Sequence, residues 1–252
     1  MVSDKNNHLI ILSNPDDFIK MGNYCKKLFS FNSNLFVLVK SVRENTIHSI
    51  FDCLHQFSEN GGSIQVKLVS NVYEHKYINF LVNELKISNV VFFESQSFFL
   101  NKIIGQGKLL KLIIALQVPI LYIGHKHQLR DSSLLFPYDH PFKIASILTD
   151  NSIQFKHSHI QIFIPDTKVD QQFIDFLNIK SLMEDFNRRN VELFTIASEE
   201  ETQHHIMRSI EENEHCVVCI NKKKNYFKQL YRNMRGFLAS STVPKAAILY
   251  YQ

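Results

Sequence analysis

The strongest restriction on how this chain can fold is that its short apolar runs occur twice in the same order. Residues 10–18 (IILSNPDDF) align with residues 134–142 (LLFPYDHPF) at an offset of 124. The run at 35–39 aligns with 160–164 at 125. IQVKLVS from Ile64 aligns with VELFTIA from Val191 at 127, and the run from Val90 aligns with that from Val217, also at 127. The pairs Val118-Pro119 and Val243-Pro244 open the last runs at 125. Few residues are identical, so periodicity and turn placement carry the match. Five runs that hold one offset within three residues indicate an internal duplication. The halves are residues 1–128 and 129–252, meeting near the polar segment 125–131 (HKHQLRD).

Each run is short, mostly apolar and rich in Ile, Val, Leu and Phe. The first half contains 9–12, 35–39, 64–69, 90–93 and 119–123; the second contains 134–136, 159–164, 191–197, 216–220 and 246–250. Between them lie segments of helical period. Phe18, Met21, Cys25, Leu28 and Phe29 share one face, as do Ile47, Ile50, Phe51, Leu54 and Phe57 before the break at Gly61-Gly62. In the second half a long helix is expected over Phe173, Phe176, Leu177, Ile179 and Met183, entered at Val169-Asp170, and Glu199–Glu201 opens another. Apolar strands alternating with amphipathic helices indicate a parallel sheet covered on both faces. The expected fold class is α/β: two tandem doubly wound open domains, each with a five-stranded parallel sheet. Ligands of such sheets sit beyond the carboxyl ends of the strands, where strand order reverses.

Composition narrows the function classes. The chain of 252 residues is 45% hydrophobic, enough for two cores, and its net charge of +4 includes no basic tail. A dedicated nucleic-acid binder carries a denser basic footprint. No run approaches the roughly 20 apolar residues of a membrane span, and the N-terminus MVSDKNNHLIIL has no signal-peptide pattern. Four cysteines without a secretory signal argue against a disulfide framework, and the cytoplasm is the expected compartment.

The chain resembles the universal stress protein family along nearly its whole length, in tandem. A strand ending in an acidic residue before a helix, Leu134-Leu135-Phe136-Pro137-Tyr138-Asp139, is similar to that family's opening strand. A fourth strand followed by a loop and a long helix is a second point of likeness. A helix running into Pro and a closing apolar strand, Gln117-Val118-Pro119-Ile120-Leu121-Tyr122-Ile123, is the third. The resemblance implies a bacterial stress-response protein. It also implies that Asp139 lies near the adenosine end of a bound nucleotide. ATP-binding members carry G-x-x-G after the fourth strand, about nine residues, then Gly-Ser or Gly-Thr. Glycine lets backbone N–H groups close around phosphate. Here the first loop is Glu94-Ser95-Gln96-Ser97, and only Gly105-Gln106-Gly107 stands near the later glycine. The second loop is Asn221-Lys222-Lys223-Lys224, without glycine until Gly236. The cradle is damaged in the first half and missing from the second.

Each candidate residue also has a plainer reading. Asp139, like Asp16 and Asp17, suits a helix N-cap. Lys224, Lys228, Arg232 and Arg235 share one helical face and could hold an anion, with Tyr226, Phe227 and Tyr231 available to stack a base; a solvated basic face accounts for the same pattern. His125/His127, His157/His159 and His204/His205 lack the third and fourth ligands a metal needs at local spacing. Cys216-Val217-Val218-Cys219 is formally C-x-x-C, yet in a strand its side chains point to opposite faces, so both cysteines, like Cys25 and Cys53, read as core. There is no G-x-S-x-G, P-loop or H-E-x-x-H motif, so no catalytic residue and no metal is assigned.

The expected function is a non-catalytic, stress-associated binding or regulatory protein. Alternatives are a sensor of ATP or another adenine nucleotide, or weak ATPase, using the basic helix, and a ligand-free protein-interaction scaffold. No cofactor is certain from the residues alone. The runs at 118–123 and 246–250 are the expected pairing edges of an intramolecular pseudo-dimer. A homodimer of the whole chain and an unidentified protein partner stay open, and no membrane is expected as a partner.

Overall fold

The apolar runs become the strands of two parallel sheets. The computed structural model describes residues 6–12, 14, 17–29, 33–40, 63–72, 74–93, 112–124, 133–137, 144, 147, 159–165, 190–212, 216–221 and 247–251. The chain forms two compact units, one based on Met1–His125 and the other on Lys126–Asn151 with Phe155–Leu249.

In the first unit the elements are β1 (Asn7–Leu12), α1 (Phe18–Leu28), β2 (Asn34–Lys40), β3 (Ser63–Val69), α2 (His75–Glu84), β4 (Ile87–Phe93) and β5 (Ile120–Ile123). Their order across the sheet is β3-β2-β1-β4-β5. All four neighbouring pairs are parallel, so the order reverses between β1 and β4. Leu9 to Leu12, Val90 and Val91 are 0–1% exposed, as strands covered on both faces must be. Helix α1 buries Phe18, Met21, Cys25 and Leu28, the stripe expected from its spacing.

In the second unit β6 (Ser133–Pro137), β7 (His159–Pro165), β8 (Asn190–Ile196), α3 (Glu199–Glu212), β9 (Val217–Asn221) and β10 (Ala247–Tyr251) follow. Here the order is β8-β7-β6-β9-β10, element for element that of the first unit. Pairings β6–β7, β6–β9 and β7–β8 are parallel. Helix α3 starts on a capping box: the Glu201 N–H donates to Ser198 Oγ (3.2 Å), and the Ala197 N–H donates to Glu201 Oε2 (2.7 Å). No helix among the described residues is long and apolar enough to cross a membrane. The expected helices around Ile47–Phe57 and Phe173–Met183 lie outside the described residues.

Side chains tie together the amino ends of four strands in the first unit. Ser63 Oγ donates to Asn34 Oδ1 (2.6 Å), Asn34 Nδ2 to Asn7 Oδ1 (2.8 Å), and Asn7 Nδ2 to the Leu85 carbonyl (2.6 Å). Asn7 pairs with Asn34, and Asn34 with Ser63, in the backbone register, so the chain of bonds requires that register. Leu85 belongs to the turn from α2 into β4. There Lys86 takes the left-handed conformation (φ 48°), and its N–H bonds the Asn83 carbonyl at 3.3 Å. A non-glycine residue in that region costs about 1 kcal/mol.

Two outcomes follow. Asn34→Ala removes two of the three links, those to Ser63 and Asn7, and should cost about 1–3 kcal/mol in urea unfolding. Lys86→Gly should raise stability by up to about 1 kcal/mol in the same measurement; a loss would contradict the strain assigned to Lys86.

Candidate functional site

The reversal of strand order places the candidate site of the first unit beyond the carboxyl ends of β1 and β4. β1 ends at Leu12, and the turn into α1 is closed by the Asp17 N–H donating to the Asn14 carbonyl at 3.2 Å. Asp17 occupies the N-cap position, but its backbone is already helical (φ −73°, ψ −3°) and its carboxylate makes no cap bond. The expectation of a capping Asp17 is thereby corrected: a capping side chain needs an extended backbone at that residue.

Lys20, on the first turn of α1, sends its ammonium to the Gly124 carbonyl (2.8 Å), just past β5. The same ammonium lies 5.7 Å from the centre of the Tyr24 ring. Tyr24 in turn meets Phe93, the last residue of β4, edge to face at 5.5 Å. Both rings are buried, and burial pushes the Tyr24 phenol well above its ordinary range. One cation held on a carbonyl and two packed rings thus lie near the carboxyl ends of β4 and β5. Sequence reading missed Lys20 and Gly124, because a lysine one turn into a helix carries no motif.

The carried-over residues Asp139, Gly105, Gly107, Lys224, Lys228 and Arg232 all lie outside the described residues, as do Asp16 and Glu94–Ser97. Of the histidine pairs, His204 and His205 are exposed on α3, with His205 3.9 Å from Glu201 one turn earlier. His159 Nε2 lies 3.1 Å from Glu192 Oε2 and 3.1 Å from Gln161 Nε2; protonated it donates to the carboxylate, and unprotonated it accepts from the carboxamide, never both at once. Among the described residues no cluster of three His, Cys, Asp or Glu could hold a metal.

A second polar group was not anticipated. His8, Ser33 and Asn89 are each at most 1% exposed. His8 Nδ1 is 3.0 Å from Asn89 Oδ1, and His8 Nε2 is 3.2 Å from Ser33 Oγ. In this orientation of the Asn89 carboxamide Nδ1 carries the proton and Nε2 accepts from the serine hydroxyl. The sequence Ser–His–Asn has the connectivity of a nucleophile relay. It lies at the amino ends of the strands, away from the ligand end, and Ser33 has no surface for a substrate to reach. It pairs polar atoms inside the core, with His8 stacked on Phe29 at 4.1 Å, while Asn89 Nδ2 has no hydrogen-bond partner among the described residues.

Cys216 and Cys219 are buried, and the Cys216 thiol donates to the Ser209 carbonyl (3.4 Å). Burial pushes the Cys216 thiol up to about 12 and that of Cys219 higher still, the opposite of what a redox or zinc pair needs.

No protein-family model matches the chain, and no curated protein does. Solved structures do. A structure described as a universal stress protein from Pseudomonas aeruginosa UCBPP-PA14 aligns with 98% of this chain and 93% of its own, at 12% identity and a TM-score of 0.54. A universal stress protein from Archaeoglobus fulgidus DSM 4304 aligns with 98% of this chain and 96% of its own, at 10% identity and a TM-score of 0.59. The cytoplasmic domain of a prokaryotic cation chloride cotransporter aligns with 98% of this chain and 95% of its own, at 12% identity and a TM-score of 0.60. The chain has the fold of universal stress proteins.

The buried thiols set a pH dependence. Unfolded cysteines ionise near 9, whereas the native chain keeps these protons until the pH nears 12 or beyond. The stability they contribute is complete below about pH 9 and is lost as pH rises above it. Urea midpoints measured from pH 7 to 10.5 should fall at the alkaline end, and replacing both cysteines by Ala or Val should flatten that fall.

Proposed function

We propose that this chain is a non-catalytic, stress-associated binding or regulatory protein of the cytoplasm, built on the stress-protein fold and not binding ATP in the usual way. One observation carries the reading. Where a phosphate cradle would follow β4, the strand ends on the packed Phe93 ring and the chain continues as Glu94-Ser95-Gln96-Ser97. Side chains at the glycine positions keep backbone N–H groups from a close approach to phosphate. The Glu94 charge adds repulsion of about 1 kcal/mol per phosphate charge at 4 Å in water, and several times that near a protein surface. In the second half, Asn221-Lys222-Lys223-Lys224 offers no glycine either.

A second reading has its own support. It is a ligand-free interaction scaffold whose partner is another protein, on a fold that the cytoplasmic domain of the cotransporter shares over 98% of this chain. The sensor reading rests on Lys224, Lys228 and Arg232, whose side chains would replace the glycine nest.

Thermal shift with ATP, AMP and cyclic dinucleotides separates these. A ligand at 100 times its Kd adds about 2.7 kcal/mol, which would raise the Tm by several degrees. The proposal expects no shift with ATP. A shift that disappears in Lys224→Ala/Lys228→Ala would replace it by the sensor reading, and recovery of a stoichiometric protein partner without any nucleotide effect would favour the scaffold.

A further inference from the structure

Strand β3 leaves one side of its backbone open. It ends the strand order of its sheet, and its seven residues pair with β2 alone. Every position is exposed or half-exposed, and among the described residues no hydrogen bond runs from its outer edge. Sheet edges are ordinarily blunted by Pro, by a bulge, by short length or by charge. β3 has neither Pro nor Gly, keeps an unbroken register with β2, and carries one charge, Lys67. That ammonium lies 5.1 Å from the centre of the Tyr77 ring on α2, so it is drawn toward the helix and not along the edge. An open row of backbone donors and acceptors of this length is a template for a further strand.

The side chains decide which strand fits. Ile64, Val66 and Leu68 share one face, while Ser63, Gln65, Lys67 and Val69 share the other. Leu68 leaves 50% of its surface in water, which a neighbouring apolar row would cover. A second β3 supplies that row when it lies antiparallel, related by a two-fold axis that passes beside Val66 perpendicular to the sheet. Ile64 then stands opposite Leu68 of the other copy, and Val66 opposite Val66. On the other face Gln65 stands opposite Lys67, where its carboxamide oxygen can accept from the ammonium, and Ser63 opposite Val69. No like charges meet. Neighbouring registers are worse: an axis at Lys67 faces that cation with its own copy, and an axis at Gln65 leaves Leu68 beyond the ladder. The Val66 axis serves whichever alternate residues turn their backbone groups outward, because bonded and non-bonded pairs alternate along an antiparallel ladder.

We propose that β3 pairs antiparallel with β3 of a second copy of this chain about Val66, joining the two sheets into one. The interface needs no ligand.

Sedimentation equilibrium of the full chain, at up to about 100 micromolar, tests it. Wild type should dimerise within that range. Gln65→Lys sets a cation opposite Lys67 at two symmetric places and should weaken the dimer about tenfold. Gln65→Glu sets an anion there and should tighten it by a similar factor. Gln65→Lys/Lys67→Gln exchanges the pair and should return the wild-type affinity. Both positions are exposed, so all three variants should keep the wild-type circular dichroism. Amide exchange within residues 63–69 should slow as the dimer forms. A wild-type chain that stays monomeric at about 100 micromolar would overturn the proposal. So would a dimer that both single changes at Gln65 leave alone or shift in the same direction, a double variant as weak as Gln65→Lys, or a dimer without protection at 63–69.

Discussion

A parallel sheet covered on both faces can close only if its polar strand ends find partners, and in the first unit this requirement organises everything else. The bonds from Ser63 through Asn34 and Asn7 to the Leu85 carbonyl run along the amino ends of β3, β2 and β1 and stop at the turn into β4. Because adjacent strands are parallel, a slip of one residue would break the link and also turn every apolar side chain to the wrong face. The neighbouring residues His8, Ser33 and Asn89 meet the same problem inside the core by bonding one another, with Asn89 Nδ2 alone of these atoms left without a partner among the described residues. Polar amino ends fixed in this way leave the carboxyl ends free to vary. That is where proteins of this architecture place their chemistry.

Much of this architecture was legible from apolar periodicity. All ten runs became strands, and the buried face of α1 is the one its spacing indicates. The deviations have physical causes. β4 begins at Ile87, three residues before the run from Val90, because Asn89 is a polar residue that His8 satisfies inside the sheet. No local pattern shows that partner, which lies 81 residues away. The end of α2 is hidden for a related reason: Lys86 adopts the left-handed turn that glycine normally marks. Glu199–Glu201 was legible as a helix start, whereas the capping box built by Ser198 and Glu201 emerges only from the geometry.

The reversal of strand order was legible in the sequence, whereas the carried-over site residues and Glu94–Ser97 lie outside the described residues. That the segment after β4 reads Glu94-Ser95-Gln96-Ser97, without glycine, needs no coordinates. What lies at the carboxyl ends of the described strands is tertiary. Lys20 reaches Gly124 across 104 residues, and Tyr24 reaches Phe93 from a different element. Both contacts come from an ordinary amphipathic helix, and neither residue type nor spacing distinguishes it from any other. The fold persists at 10–12% identity to the solved structures it resembles, and a shared fold does not by itself carry a function.

The central claim is that side chains after β4 prevent main-chain amides from closing on phosphate. A crystal structure of the full chain grown in millimolar ATP measures this directly, through electron density at residues 94–97. The account predicts no triphosphate density against that backbone. Phosphates seated on the amides of Glu94 to Ser97 would contradict it.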